Sequence, residues 1–284
     1  MGEPVRLGFD LLLWTTHVTE QHWPILDRLK ATGYDGAEIP MFEGPVSHYE
    51  TLGRRLRDVG LASTGIGVMS GGSAISPDKA QLAGALDHLK WLIDCTAAIG
   101  GDVCAGPFHQ PLGEFSGRGP TADEVKWCAE VHKEAARYAA SAGITLSVEP
   151  LNRFECYFLN TMEQATELVR LVDEPNYGYL FDTFHTNIEE NDVPALIAKT
   201  IGAISHVHIT ENNRGVPGAG HIDFNAIFRA LKSAGWDGWM TIEAFGSALP
   251  DLAAATKIWR PLFASEEDVY EKGFRLMKDG WARA

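Results

Sequence analysis

Four side chains of metal-binding type stand at the ends of four short apolar runs. Glu149 closes the run ITLSVE, Asp182 closes YGYLFD, His208 lies in HVHI and Glu243 in MTIEAF. They follow one another at intervals of 33, 26 and 35 residues. Each interval is about the length of one strand, one helix and two loops. Three carboxylates and one imidazole make a hard, oxygen-rich donor set. Such a set suits Mn²⁺ first, with Co²⁺ or Mg²⁺ as alternatives, because structural zinc takes mainly Cys and His. Taken singly, each residue reads as a cap, an ion pair or a buried histidine. Their repetition at successive strand ends marks a shared metal site. His206 points to the same face of its strand as His208, so spacing alone leaves the two open.

Further polar residues follow the same runs. Glu155 lies six residues after Glu149, His185 three after Asp182 and Arg214 six after His208, with Asn152 and Arg153 in the loop of Glu155. A metal with Glu, His and Arg around it suits a small polyhydroxylated or carbonyl substrate whose oxygens are fixed by hydrogen bonds.

The elements that must carry these residues alternate from end to end. Strand-like runs occupy 5–9, 36–40, 61–68, 102–106, 144–149, 177–182, 203–209 and 238–245. Helical spacing occupies 19–31, 48–59, a stretch starting at Ser76-Pro77-Asp78 and running to Ile99, 121–143, 161–172, 192–200 and 225–234. Thr121 with Glu124, and Thr161 with Gln164, have capping-box spacing. Two loops are long and rich in Gly, 107–120 and 212–224; loops of that length are usually functional. Strands that stay apolar without strict alternation suit a parallel sheet covered by helices. The spacing therefore predicts an α/β fold, a (β/α)₈ TIM barrel, as one domain over 1–284 with a C-terminal helical segment at 247–284. Within it, Val269, Tyr270, Phe274, Leu276, Met277 and Trp281 are expected to close the barrel, with some left over for a homo-dimer or homo-tetramer interface.

Bulk composition narrows the partners. The 284 residues carry a net charge of −14, which argues against nucleic acid and against anionic membranes. No apolar run reaches the roughly 18 residues of a membrane span. The start MGEPVRLGFDLLLW has neither a leader pattern nor the Ser or Thr of an acylation signal. Cys95, Cys104, Cys128 and Cys156 form no CxxC pair, and Cys95 and Cys128 read as small core residues. A reduced, cytoplasmic protein is the expectation.

The stretches VEPLNRFE (148–155), FDTFHTNIEE (181–190), HVHITENNRGVPGAG (206–220) and IEAF (242–245) resemble the ketose 3-epimerases of the D-tagatose 3-epimerase family, within the xylose-isomerase-like barrels. The second half of the chain carries the resemblance; the first half agrees in length and element order. It implies Glu149, Asp182, His208 and Glu243 as metal ligands, which chooses His208 over His206. It also implies Glu155, His185 and Arg214 as the residues that hold the substrate. Asn213 stands where much of the family has Asp. The implied activity is metal-dependent epimerisation of a free ketose at C3 through a cis-enediolate. Glu149 and Glu243, on strands that are not neighbours, serve as the two-sided acid/base pair. Candidate pairs are D-fructose/D-psicose, D-tagatose/D-sorbose and L-ribulose/L-xylulose. Trp14, Met41, Gly67 and the loop from His109 to Phe115 are candidates for the wall facing C4–C6. Competing readings are an aldose–ketose isomerase, an inosose dehydratase or a sugar-binding barrel. A multi-zinc endonuclease would want more His ligands and a basic face.

Overall fold

The computed structural model describes residues 5–284, so the absence of a leader or acylation pattern at residues 1–4 lies outside the described residues. Eight strands are β1 (Arg6–Asp10), β2 (Gly36–Pro40), β3 (Ala62–Ile66), β4 (Val103–Gly106), β5 (Thr145–Val148), β6 (Tyr177–Asp182), β7 (Ile204–Ile209) and β8 (Trp239–Ile242). All are parallel, and β1 pairs with both β2 and β8 to close the barrel. The helices are α1 (Trp23–Thr32), α2 (Val46–Val59), α3 (Lys79–Ile99), α4 (Ala122–Ala140), α5 (Met162–Val172), α6 (Thr183–Glu189), α7 (Val193–Thr200), α8 (Phe224–Ser233), α9 (Pro250–Thr256) and α10 (Glu266–Arg283). The (β/α)₈ barrel is thus as the spacing predicts.

Local chemistry sets most helix ends. Thr121 accepts the amide of Glu124 while Glu124 reaches back to Thr121, and Thr161 and Gln164 do the same for α5. Gly33, Gly60 and Gly100 end α1, α2 and α3 in the left-handed conformation that glycine tolerates. Two starts differ from the spacing. α3 is capped by Asp78, whose carboxylate accepts from Ala80, while Ser76 accepts the amide of Asp78 one turn earlier. A carboxylate is the stronger acceptor at a helix N-terminus, and Pro77 serves the turn before it. α6 follows directly on β6: Asp182 accepts the amide of Phe184 at 2.6 Å and so starts a seven-residue helix.

α10 completes the outer ring of helices, packing beside β1 and β8 between α8 and α1. Val269, Tyr270 and Met277 are buried, and Phe274, Leu276 and Trp281 pack against the core. The Tyr34 hydroxyl donates to the Tyr270 carbonyl at 2.7 Å, tying α10 to the end of α1. The large apolar side chains left most exposed lie elsewhere, at Phe154 and Trp259.

One close approach under the mouth is strict. Gly106 has φ of +136°, and a methyl there would overlap the Gly67 carbonyl oxygen. The Gly106 carbonyl in turn accepts the Glu149 amide at 2.9 Å. Gly106→Ala is expected to lower unfolding free energy by about 3 kcal/mol or more, read by denaturant titration. A loss within about 0.5 kcal/mol, the range of an ordinary surface change, would show that this backbone has room.

Candidate active site

The barrel brings the four metal-type residues together at its C-terminal end. Glu149 and Glu243 are the first residues past β5 and β8, Asp182 is the last of β6 and His208 the last but one of β7. Asp182 and His208 sit side by side in the β6–β7 register, and His208 faces Thr241 across β7–β8. One donor atom from each of the four lies within 4.8 Å of every other, and all four residues are buried. His208 Nδ1 is 3.5 Å from Glu243 Oε1 and 3.9 Å from Asp182 Oδ2. Neither His208 Nδ1 nor Glu243 Oε2 has a hydrogen-bond partner. Orphaned buried acceptors among gathered carboxylates are what a hard divalent cation would satisfy, so the donor set fits such an ion.

The charge balance says the same. Burial, and then the charge of Glu243, push the Glu149 carboxyl well up. The same two causes, in the same order, push Asp182 up to about 7. Burial also pushes Glu243 up, but the neighbouring His208 and then the charge of Arg214 outweigh it and hold this carboxyl below its usual range. Burial opposes charge on His208, yet Glu38 and Glu243 raise its affinity for a proton well above normal. Crowded acids thus retain protons, which a divalent cation would displace.

Of the two histidines that spacing left open, only His208 joins this set. His206 turns to Glu38, its Nε2 2.9 Å from Glu38 Oε2. Glu38 also meets His208, with Oε1 2.6 Å from Nε2. Glu38 is hard to single out from sequence because it sits inside the apolar strand run GAEIP. A carboxylate in the middle of a buried strand is the signal. Asp10, on β1, is a second buried acid hidden in the sequence.

Glu155, His185 and Arg214 converge beside the four. The Asn152 backbone amide donates to His185 Nδ1 at 2.9 Å. His185 Nε2 lies 3.6 Å from Glu149 Oε1 and 3.0 Å from Arg214 Nη2. Arg214 Nη1 is 3.4 Å from Glu155 Oε1, which also accepts from the Asn152 side chain at 2.9 Å. The guanidinium stands 4.2 Å over the Phe184 ring and 4.8 Å over Phe245. Burial, and then the charge of Arg214, keep His185 well below the usual imidazole range. The Arg214 loop is built around buried Glu211, which accepts the Gly218 amide at 2.8 Å. Asn213 Oδ1 accepts the Gly215 amide at 2.9 Å, a task for which an amide oxygen serves as a carboxylate oxygen would. Arg153 faces outward and pairs with Glu189.

A cavity of about 230 Å³ joins Glu149, Glu155, His185, Arg214 and Glu243 to an apolar wall. Leu12, Phe42, Ile66, Val68, Leu112 and Leu252 line that wall. Trp14, Met41, Gly67 and His109 are not part of the lining, contrary to expectation. Trp14 packs on Phe9, their ring centroids 5.1 Å apart, and Met41 is buried against Thr96. His109 is buried, its Nε2 3.3 Å from the Glu149 carbonyl oxygen. From the expected loop, Leu112 does line the cavity.

A closed parallel barrel with such a mouth defines a class: residues 26–279 match the xylose isomerase-like TIM barrel family, to which the chain belongs. A ketose 3-epimerase from Arthrobacter globiformis is 31% identical over 279 residues, covering 97% of this chain and 96% of that protein. A solved L-ribulose 3-epimerase superposes with a TM-score of 0.92 at 30% identity, over 98% of this chain and 95% of that one. A D-allulose 3-epimerase from Methylomonas sp., solved with D-allulose, gives 0.90 at 25% identity, over 98% and 99%. Within the barrel family the chain thus belongs with the ketose 3-epimerases, which are isomerases of carbohydrates.

Proposed function

We propose that the protein interconverts free five- or six-carbon ketoses at C3, with Glu149 and Glu243 as the acid/base pair. The observation that carries this is the pair itself: two buried carboxylates from β5 and β8 flank one small cavity. Inversion at carbon needs a proton taken from one face and another returned to the opposite face, and two opposed carboxylates can do both. In either direction one glutamate takes the C3 proton and the other, in its acid form, supplies the new one. A divalent ion held by Glu149, Asp182, His208 and Glu243, with Mn²⁺ the first choice, supplies positive charge where the substrate oxygens become negative.

Glu155 and His185 position the O1–O2 end of the sugar, and Arg214 supports O2. The remaining carbons lie against Leu12, Phe42 and Leu112. A mostly apolar wall discriminates chain length only weakly, by about 1–3 kcal/mol per methylene. Both pentuloses and hexuloses are therefore expected as substrates. Arg214→Met is expected to raise KM about 10–100-fold, from the loss of charge-assisted hydrogen bonds of about 1.5–3 kcal/mol. An unchanged KM would remove Arg214 from the binding set.

The free, buried cysteines suit a cytoplasmic enzyme, and no helix among the described residues is long and apolar enough to cross a membrane. The chain acts as a single domain and assembles as a homo-dimer or homo-tetramer; light scattering that returns a monomer mass at micromolar protein would overturn the assembly.

The deciding experiment is NMR in D₂O with D-fructose, D-tagatose and L-ribulose, using chelator-stripped protein before and after Mn²⁺. Deuterium entering C3 together with the epimer supports the reading. Exchange confined to C1–C2 would make the protein an aldose–ketose isomerase instead.

A further inference from the structure

We infer that Glu38 is a positioning residue for the ion: it holds His208 with the proton on Nε2 and so turns the Nδ1 lone pair toward Glu149, Asp182 and Glu243. This rests on the proposed role of those residues as ligands.

Glu38 lies on β2 and reaches across the barrel interior to β7. It is fully buried, and its ion-pair partners among the described residues are His206 and His208. A buried carboxylate is costly unless donors satisfy it. Three groups approach this one: His208 Nε2 at 2.6 Å from Oε1, His206 Nε2 at 2.9 Å and the Thr64 hydroxyl at 2.8 Å from Oε2. An ionised carboxylate only accepts hydrogen bonds, so the nitrogen facing it carries the hydrogen. Once the His208 proton sits on Nε2, the unpartnered Nδ1 is the ring's free acceptor, and it faces Glu243 and Asp182.

Glu38, His206 and His208 could themselves be taken for a metal site, since their donor atoms also cluster. The spacings decide against it. Two ligands at right angles on an ion, each about 2.1 Å from it, lie about 3 Å apart. The 2.6 Å contact of Glu38 Oε1 with His208 Nε2 is shorter than that and is a hydrogen bond, with this nitrogen turned to Glu38 and Nδ1 to the other carboxylates. One imidazole thus joins two carboxylate groups, bonding to one and offering its lone pair to the other. Carboxylate partners behind a metal-bound histidine fix its ring and raise its basicity.

The test is calorimetric titration of Mn²⁺ into chelator-stripped wild type and Glu38→Gln, without substrate. The Gln side chain keeps the shape but places an amide NH₂ against one of its donors. Mn²⁺ affinity is expected to fall about 10–100-fold, with far-UV circular dichroism unchanged. Wild-type affinity in Glu38→Gln would overturn the role of Glu38 and leave the ligand set standing. No Mn²⁺ binding by wild type would overturn both. A reading without any substitution is ¹⁵N NMR of wild type loaded with diamagnetic Mg²⁺. Hydrogen-bearing Nε2 with bare Nδ1 on His208 is expected; the reverse tautomer would sink the inference even if Glu38→Gln failed to fold.

Discussion

Glu149→Gln and Glu243→Gln are each expected to cut kcat for C3 epimerisation by about 10²–10⁴-fold, the usual weight of a positioned acid or base. The amide keeps an oxygen in place but cannot exchange a proton. Both carboxyls are buried, from strands separated by β6 and β7, so neither can substitute for the other. The telling readout is isotopic. A variant with one carboxylate left still reaches one face of C3, so it exchanges that hydrogen in one epimer without forming the other. The two variants are expected to show this residual exchange in opposite epimers. Near-wild-type turnover in either would end the acid/base assignment, and loss of all exchange in both would point to damage at the ion instead.

Chelation is expected to abolish epimerisation, with recovery on adding Mn²⁺, and to destabilise the protein more as pH rises above 7. The sign follows from the carboxylates. Burial and Glu243 lift Asp182 to about 7 and Glu149 well above its usual range, whereas unfolded carboxyls titrate near 4. The stripped fold therefore holds more protons than the unfolded chain, and its stability falls as pH rises. His208, raised by Glu38 and Glu243 against the effect of burial, changes stability in the same direction. Burial lowers His109 to about 3 and His132 to about 4, which acts oppositely, but only below the unfolded imidazole range near 6.5. Above pH 7 those rings are neutral in both states. Ion at a hundred times its dissociation constant adds about 2.7 kcal/mol. The melting-temperature gap between loaded and stripped protein is expected to widen from pH 7 to 8.5; a gap that narrows would contradict these proton affinities.

What the sequence reveals and what it hides follow physical lines. The capping boxes at Thr121 and Thr161 are legible because each signal is complete within four residues. The gathering of Glu149, Asp182, His208 and Glu243 is legible because each lies at a strand end, and strand ends of a parallel barrel share one face. Glu38 is hidden because its partners are 168 and 170 residues away on β7, and only closure of the barrel brings them together. The apolar wall is missed by small offsets. Leu12 and Phe42 line the cavity while Trp14 and Met41, one or two positions away, pack into the core. α6 is hidden because TFHTNIE opens on β-branched and aromatic residues of low helix propensity. Its start depends on Asp182, a residue already claimed by the metal reading.

That double use of Asp182 has a thermodynamic consequence. One of its oxygens accepts the Phe184 amide and starts the helix that carries His185 toward the sugar, while the other lies 3.9 Å from His208 Nδ1. In the roles proposed, with Asp182 on the cation and His185 on the ketose, the two act on opposite ends of one short helical lever. Whatever factor the cation adds to sugar affinity by steadying that lever, the sugar must return to cation affinity, since such coupling is reciprocal. Positive coupling of this kind would make the metal hardest to strip while sugar is bound and easiest when none is present.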